Sequence, residues 1–343
     1  MAGTILGIEI GAATIKFAEV RGKTLVRSAS YPLPDNLVRD GLVTSPDGLV
    51  EVLKKAKKEL KLKSGPCALV IPSRAVIAHQ ITMPLMSEAD VALNLPFEFR
   101  DFVGKDSDKY LYDYSVQSIQ QPAGKQSGSM ELYAAAVEAK LMEEYYSWLK
   151  KAGFTMKVAI PAEMSWENLI RACKNLPKEV CIVDMGATHT MVTVYKDGHY
   201  VMGKDIDMGG GTMDEVIAGE YKLDARQARN YKELDPDQYL PCCTEAMNDL
   251  AVEVMRVVNF YSYHTEGAAL RDIYLCGGSV TESLRTAVLK ATDMQLHHIC
   301  RLVPGGVENS ATARSAIAAG AAMKKERSRT LWQTKPKPRP RAN

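Results

Sequence analysis

The chain has 343 residues, room for two compact domains, and its 46% hydrophobic and 24% charged residues exclude a disordered chain. With 24 Gly and 16 Pro, collagen-like and low-complexity readings fall away. The formal net charge of +2 is too balanced to indicate nucleic-acid binding, but residues 324–343 hold eight basic residues against Glu326 alone, so a mildly acidic body carries a basic tail.

The opening stretch, 4–10, reads as a strand, broken at Gly11 and resumed over 14–20, with a third strand after Gly22-Lys23: a β-meander. Ser45-Pro46-Asp47 starts a helix, with Ser as N-cap and Pro in the first turn. Leu49, Leu53, Ala56 and Leu60 fall on one face of it and the lysines on the other. Gly65-Pro66 ends that helix ahead of a short buried strand over 67–72. A strand over 76–83 follows, then Ser87-Glu-Ala-Asp90 resembles a capping box for a helix reaching Val103, disturbed at Pro96. Residues 110–116 and 132–137 are strands flanking a Gly/Ser/Gln-rich loop, 120–129, so that 83–138 reads as a small α+β insertion. Helices are expected over 139–152 and about 162–175.

The plan then repeats. Strand 180–185, the turn Gly186-Ala187, strand 188–195, a hairpin turn at Asp197-Gly198 and strand 199–206 copy the unit of residues 5–30. Two such units about 175 residues apart predict two similar α/β halves. Gly209-Gly210-Gly211 leads into a helix, and a long helix over 244–264 carries Met247, Leu250, Val254, Val257 and Tyr261 on its apolar face. A short strand, 273–275, runs into Cys276-Gly277-Gly278-Ser279, followed by helix 281–292 and a helix of small residues over 311–323.

Glu9 interrupts the first apolar stretch and no cation precedes it, so no signal peptide is expected. No uncharged apolar run of 18 residues occurs, so no membrane span is expected. Seven scattered cysteines without CxxC spacing fit a reduced, cytoplasmic protein, and the adjacent His297 and His298 lack partners at metal-ligand spacing.

Two tight turns carry an acid two places before a glycine: Glu9-Ile10-Gly11 and Asp184-Met185-Gly186. Turns of this kind present backbone N–H groups to phosphates, glycine permits close approach, and carboxylates at the strand ends suit a hydrated Mg²⁺. Cys276-Gly277-Gly278-Ser279, between a strand and a helix, is a third place where backbone can meet a ligand.

Together and in this order the three motifs resemble the actin-like ATPase superfamily: "phosphate 1" over residues 6–16, "phosphate 2" over 183–190 and "adenosine" over 273–279. Within it the chain is most similar to the PilM family of type IV pilus assembly proteins. That narrower match rests on Gly7-Ile-Glu-Ile-Gly with Ile15-Lys-Phe-Ala-Glu19, on Ile81-Thr-Met-Pro84 followed by Glu88 and Phe97-Glu98, on Asp205-Ile-Asp-Met-Gly-Gly210, and on Glu253-Val-Met-Arg-Val-Val-Asn-Phe-Tyr261. The resemblance covers residues 1–323.

The resemblance implies a duplicated, two-lobed actin-like (ribonuclease H-like) α/β fold with a small α+β subdomain inserted in the first lobe. The expected divisions are first-lobe core over 1–82 and 139–178, the insertion over 83–138, second-lobe core over 179–211 and 269–310, a helical subdomain over 212–268, a returning helix over 311–323 and a disordered tail over 324–343. The tail's alternative reading is contact with anionic lipid. The resemblance also implies ATP and Mg²⁺ in the interlobe cleft. Gly11, Gly186, Gly277 and Gly278 would give backbone access, Thr14 and Thr188 hydroxyls, and Gly210, Ser279 and Lys232 further contacts. Lys16 is read either as a nucleotide residue or as a strand residue facing solvent. Asp184 would orient the metal, helped by Glu9.

Four departures separate the chain from the family pattern. Glu9 stands where Asp is usual, Ala12 and Ala13 replace hydroxyl residues, Arg229 replaces a Glu, and Val280-Thr281-Glu282 lacks Pro-Gly. These imply a scaffold that hydrolyses ATP slowly or not at all. The implied partner is the N-terminal cytoplasmic peptide of a PilN-like inner-membrane protein, which would hold the chain at the inner face of the membrane. Leu85, Leu93, Phe97 and Phe99 are candidates for the peptide groove or, more plainly, for the insertion's core. Lacking a Walker A motif, the chain is not itself the pilus motor ATPase, which would be an indirect partner. Two rivals share the fold: an FtsA-like division filament, whose usual terminal amphipathic helix is not found here, and a small-molecule kinase, for which no carboxylate base stands out.

Overall fold

The computed structural model describes residues 3–323 apart from residues 36, 40, 122–126 and 176; the basic tail and the tip of the Gly/Ser/Gln-rich loop lie outside the described residues. The first lobe opens with the meander β1 (Thr4–Ile10), β2 (Thr14–Arg21) and β3 (Thr24–Pro32), then a two-stranded ribbon, β4 (Val38–Arg39) and β5 (Leu42–Val43). Helix α1 (Pro46–Glu59) follows, although Ser45 makes no side-chain cap; Leu49, Leu53 and Ala56 are buried as their spacing predicts. Strand β6 (Gly65–Ile71) starts two residues earlier than expected, because Gly65 and Pro66 already pair with the later strand β10.

The inserted unit comprises β7 (Val76–Pro84), α2 (Glu88–Glu98), α3 (Arg100–Val103), β8 (Tyr110–Gln120) and β9 (Ser129–Glu138). Its sheet, ordered β7-β9-β8, begins at Val76 and not at residue 83, since the whole of β7 pairs with β9. The expected helix to Val103 is broken at Phe99, three residues past Pro96, and Ser87 caps its start by accepting the Asp90 amide at 3.3 Å. Phe99 is fully buried among Val91, Leu95 and Leu132, so it is insertion core.

The chain returns through α4 (Ala139–Lys151), β10 (Phe154–Pro161) and α5 (Ala162–Ala172). Strand β10 is absent from the sequence reading: a bulge between Met156 and Val158 breaks the alternation that would have marked it. The first sheet runs β10-β6-β1-β2-β3, with β1, β6 and β10 parallel.

The second lobe repeats this. It holds β11 (Glu179–Met185), β12 (Thr190–Lys196), β13 (His199–Ile206), α6 (Gly210–Tyr221), α7 (Ala225–Leu234), α8 (Pro236–Tyr239), α9 (Thr244–His264), β14 (Asp272–Cys276), α10 (Glu282–Thr292) and β15 (Gln295–His298). Its sheet runs β13-β12-β11-β14-β15, antiparallel on the meander side and parallel on the other, the same plan as the first.

Helix α11 (Ser310–Ala322) then packs on the first lobe. Its small residues let backbones meet. A Cβ on Gly7 of β1 would lie 1.8 Å from the Ala318 carbonyl oxygen, and one on Gly320 would lie 2.0 Å from that of Ser165 on α5. The helix is thus clamped between sheet and α5, and the start of α11 brings the chain beside Gly277, whose amide donates to the Ala313 carbonyl at 3.3 Å.

Candidate functional site: a cleft between the lobes and a groove beside the insertion

The two glycine turns are built alike. The Gly11 amide donates to the Thr14 carbonyl at 3.0 Å, and the Gly186 amide to the His189 carbonyl at 2.9 Å. Each turn thereby ends one meander hairpin, and the two face each other across a cavity of about 220 Å³ between the lobes. Gly11, Thr14, Lys16, Gly186, Gly210, Lys232, Gly278 and Ser279 all line it. A second cavity of about 100 Å³ shares Gly11, Ala12, Lys16, Gly186 and Ala187 with the first and adds Glu9, Asp184 and Thr188. Gly277 lines neither. Its φ of +102° lets the loop turn where a Cβ would lie 2.2 Å from the Met185 carbonyl oxygen, so its part is to let the third motif pass close to the second.

The glycine amides are not the ones left for a ligand. Besides the Gly11 and Gly186 bonds, the Gly210 amide donates to the Gly186 carbonyl at 3.0 Å and Gly211 to Ala187 at 2.7 Å. By contrast, the amides of Ala12, Ala13 and Ala187 find no acceptor among the described residues, and all three line the larger cavity. Replacing hydroxyl residues by alanine removes side-chain donors but leaves this backbone cradle in place.

Lys16 does not face solvent. It stands opposite Glu9 in the β1–β2 register, is buried, and its Nζ lies 2.5 Å from Glu9 Oε1. Burial pushes the Glu9 carboxyl above its ordinary range, Lys16 opposing and Asp184 reinforcing the shift. Burial also raises Asp184, against the pull of Lys16 and of a hydrogen bond with Cys276. For Lys16, burial favours the neutral amine, but Glu9 and Asp184 more than offset this and its pKa rises. The second oxygen of Glu9, Oε2, is buried without a partner. Floor chemistry is therefore two carboxylates, one from each lobe, with an ammonium ion among them.

The upper wall turns on Asp214, a buried acid of α6. It holds two basic residues of α7: Arg229 Nε at 3.1 Å and Lys232, whose Nζ also donates to the Gly210 carbonyl at 2.9 Å. Arg229 reaches further, to Asp35 of the first lobe at 3.3 Å, and so ties the lobes together beside the cavity.

A third cavity, about 150 Å³, lies between the insertion and the first lobe. Strand β8 runs along it through Tyr112 to Ser115, with Tyr133 and Ala135 of β9, Met142 of α4, and Met164 and Glu167 of α5 on the other sides. None of Leu85, Leu93, Phe97 or Phe99 lines it: Phe99 is core, and Leu93 and Phe97 are exposed on α2. Strand β8 is the edge of its sheet, so the groove runs beside a strand edge.

The family model described as "Type IV pilus assembly protein PilM" matches residues 7–303. The chain belongs to the PilM family. Among solved structures, the PilM-PilN type IV pilus biogenesis complex is similar with a TM-score of 0.78 and 20% identity, covering 94% of this chain and 98% of that one. The ethanolamine utilization protein EutJ from Carboxydothermus hydrogenoformans is similar with a TM-score of 0.60 and 14% identity, covering 94% and 90%. EutJ of Salmonella typhimurium is 24% identical over 139 residues, 39% of this chain and 47% of that protein, so the chain spans about half the length of the curated relatives it matches. The fold is the actin-like one, with two α/β lobes of repeated plan.

In this PilM-family chain the sequence reading gathers most cleft residues but misses Asp214, Asp35 and Arg314, the last a cation lining the cavity from α11. A usable signal for Asp214 existed: Arg229 and Lys232, three apart on one helix, share a face and call for one acid opposite. Asp35 and Arg314 carry no such local sign. Among the described residues no helix is long and apolar enough to cross a membrane, and no group of three or more acid, His or Cys residues is placed to hold a metal.

Proposed function

We propose that this chain is a nucleotide-binding scaffold of type IV pilus assembly, acting at the cytoplasmic face of the inner membrane, which binds an extended N-terminal peptide of a PilN-like membrane protein in the groove beside β8. The observation that carries the reading is the juxtaposition, in a PilM-family chain, of a phosphate-sized cradle between the lobes and a groove along a sheet edge. An extended peptide adds to such an edge by main-chain hydrogen bonds, with neighbouring pockets reading alternate side chains.

The cleft residues fit ATP. Free amides of Ala12, Ala13 and Ala187 and the cations Lys16, Lys232 and Arg314 would meet the phosphates and sugar, and Gly278 leaves room beside them. Asp184 and the unpartnered Oε2 of Glu9 would hold Mg²⁺ through its water shell, and the ion would neutralise phosphate charge. Hydrolysis is slow or absent on this reading, because Glu9 already holds Lys16 and both floor carboxylates would be taken up in holding the metal, which leaves no separate base to activate water. Titrating the full chain with a labelled N-terminal peptide of the PilN-like protein, with and without ATP·Mg²⁺, tests the proposal. Saturable binding by the wild type supports it, and no binding in either state refutes the groove reading.

A further inference from the structure

The lysines on the outer face of α1 serve neither the cleft nor the groove. Lys54, Lys55, Lys57 and Lys58 are followed by Lys61 and Lys63, and all but the half-buried Lys57 are exposed. They meet the end of α4: Lys54, Lys57 and Lys58 rim a shallow depression with Leu62 and Ala152, and Lys57 Nζ donates to the Ala152 carbonyl at 3.3 Å. Lys150 and Lys151, also exposed, immediately precede Ala152 at the end of α4. Against these eight lysines stand Glu51, paired with Lys54 at 2.9 Å, and Glu59, bonded to Tyr31. This concentration of positive charge sits on a body that is mildly acidic elsewhere.

We infer that this lysine face docks on an anionic phospholipid surface. Three observations choose lipid over an acidic protein or a nucleic acid. The free cations are lysines, point charges on flexible stems, and the one arginine among them, Arg27, is already held by the Leu60 carbonyl at 2.6 Å and by Glu19 at 3.3 Å. The aromatics among them lie beneath lysine stems and do not stand out to stack a base: Phe154, under Lys57, is buried, and Tyr146, under Lys150, is half-buried. The apolar residues of α1, from Leu49 to Ala56, all turn inward, so the face offers charge around a shallow depression and no exposed apolar anchor from the helix. Its position suits this. Met142 of α4 lines the peptide groove, and Lys150 lies eight residues along the same helix, about 12 Å away. A peptide leading to a membrane and a lipid-seeking face thus share one helix; the inference takes its orientation from the groove reading and its substance from the charges.

The test uses the full chain and vesicles without any partner peptide, so a failed groove reading leaves it untouched. Co-sedimentation is compared for phosphatidylcholine vesicles and for vesicles in which about a third of the lipid is phosphatidylglycerol. The wild type is expected to bind the anionic vesicles and to lose them at high salt. Lys54→Gln with Lys58→Gln and Lys61→Gln lowers the partition roughly a hundredfold, at about fivefold for each lysine, with an unchanged thermal midpoint. A second full-length variant, with the eight basic residues of 324–343 replaced by glutamine, keeps binding sensitive to those three lysines. Undiminished binding by the triple variant, loss of binding in the tail variant alone, or retention by polyglutamate with indifference to phosphatidylglycerol would each overturn the inference.

Discussion

Lys16 and Glu9 face each other across neighbouring strands and form a buried ion pair, Nζ to Oε1 2.5 Å, on the floor of the interlobe cleft. Removing one partner of such a pair leaves an uncompensated charge. Lys16→Met is expected to destabilise the fold by about 3 kcal/mol, and adding Glu9→Gln recovers part of it. Urea denaturation of the two single variants and the double variant measures this; additive losses would show that the pair is not coupled.

The raised carboxyls give stability a definite pH slope. Glu9 and Asp184 bind protons more tightly in the folded state than their ordinary values of 4.5 and 3.8, so the native state holds more protons and stability falls as pH rises from those values through the folded pKa of each. Lys16 acts at the other end: the stability it gains from its partners is full below 10.5 and is lost as pH rises through its raised pKa. Denaturation midpoints of wild type and Asp184→Asn from pH 4 upward test the acid limb, where the variant is expected to show the shallower slope.

Backbone contact at α11 predicts a strict requirement for glycine. Gly7→Ala would drive a methyl into the Ala318 carbonyl, and Gly320→Ala one into Ser165, each costing about 1–3 kcal/mol. Gly3→Ala, where nothing lies within reach, is the control and leaves the thermal midpoint unchanged.

At the cleft mouth, Arg229 and Asp214 differ sharply in exposure. Arg229→Ala removes two ion pairs of a partly exposed side chain and is expected to cost no more than about 1 kcal/mol after solvent screening. Asp214→Ala leaves Arg229 and Lys232 facing each other without their buried acid and costs about 3 kcal/mol, with weakened nucleotide binding. Equal effects of the two substitutions on stability would contradict this account of the wall.

The groove can be filled without touching the cleft. Ala135→Trp puts an indole into a cavity of about 150 Å³ and is expected to abolish peptide binding while ATP binding stays within twofold. Leu93→Ala and Phe97→Ala, on the exposed face of α2, leave peptide binding unchanged. Isothermal titration with peptide and with ATP separates these outcomes.

Much of this architecture is legible in the chain because strand alternation and glycine turns are local signals. The two meanders and the glycines at 11, 186 and 278 are read from a few neighbours each. What resists is either a break in period, as at the bulge that hides β10, or a pairing over distance. Asp35 and Arg229 lie 194 residues apart, and nothing near either marks the other. Lys16 shows a third difficulty. Strand parity alone leaves its face open, and only the register with Glu9 decides that it points inward. Of the residues read as either groove wall or insertion core, Phe99 is core and none lines the third cavity, which the edge strand and α5 border instead, because Val91 and Leu95 of α2 are spent on the insertion's own core.

The most direct test of the nucleotide cleft is the thermal midpoint of wild type and Asp184→Ala with and without ATP·Mg²⁺, since a ligand that binds only the native state must raise it. The account predicts a rise in the wild type, by about 3 kcal/mol of added stability at a hundredfold excess over Kd, and none in Asp184→Ala, which itself remains folded. No rise in the wild type at millimolar ATP would contradict it and leave the chain a pure protein-binding scaffold on an actin-like fold.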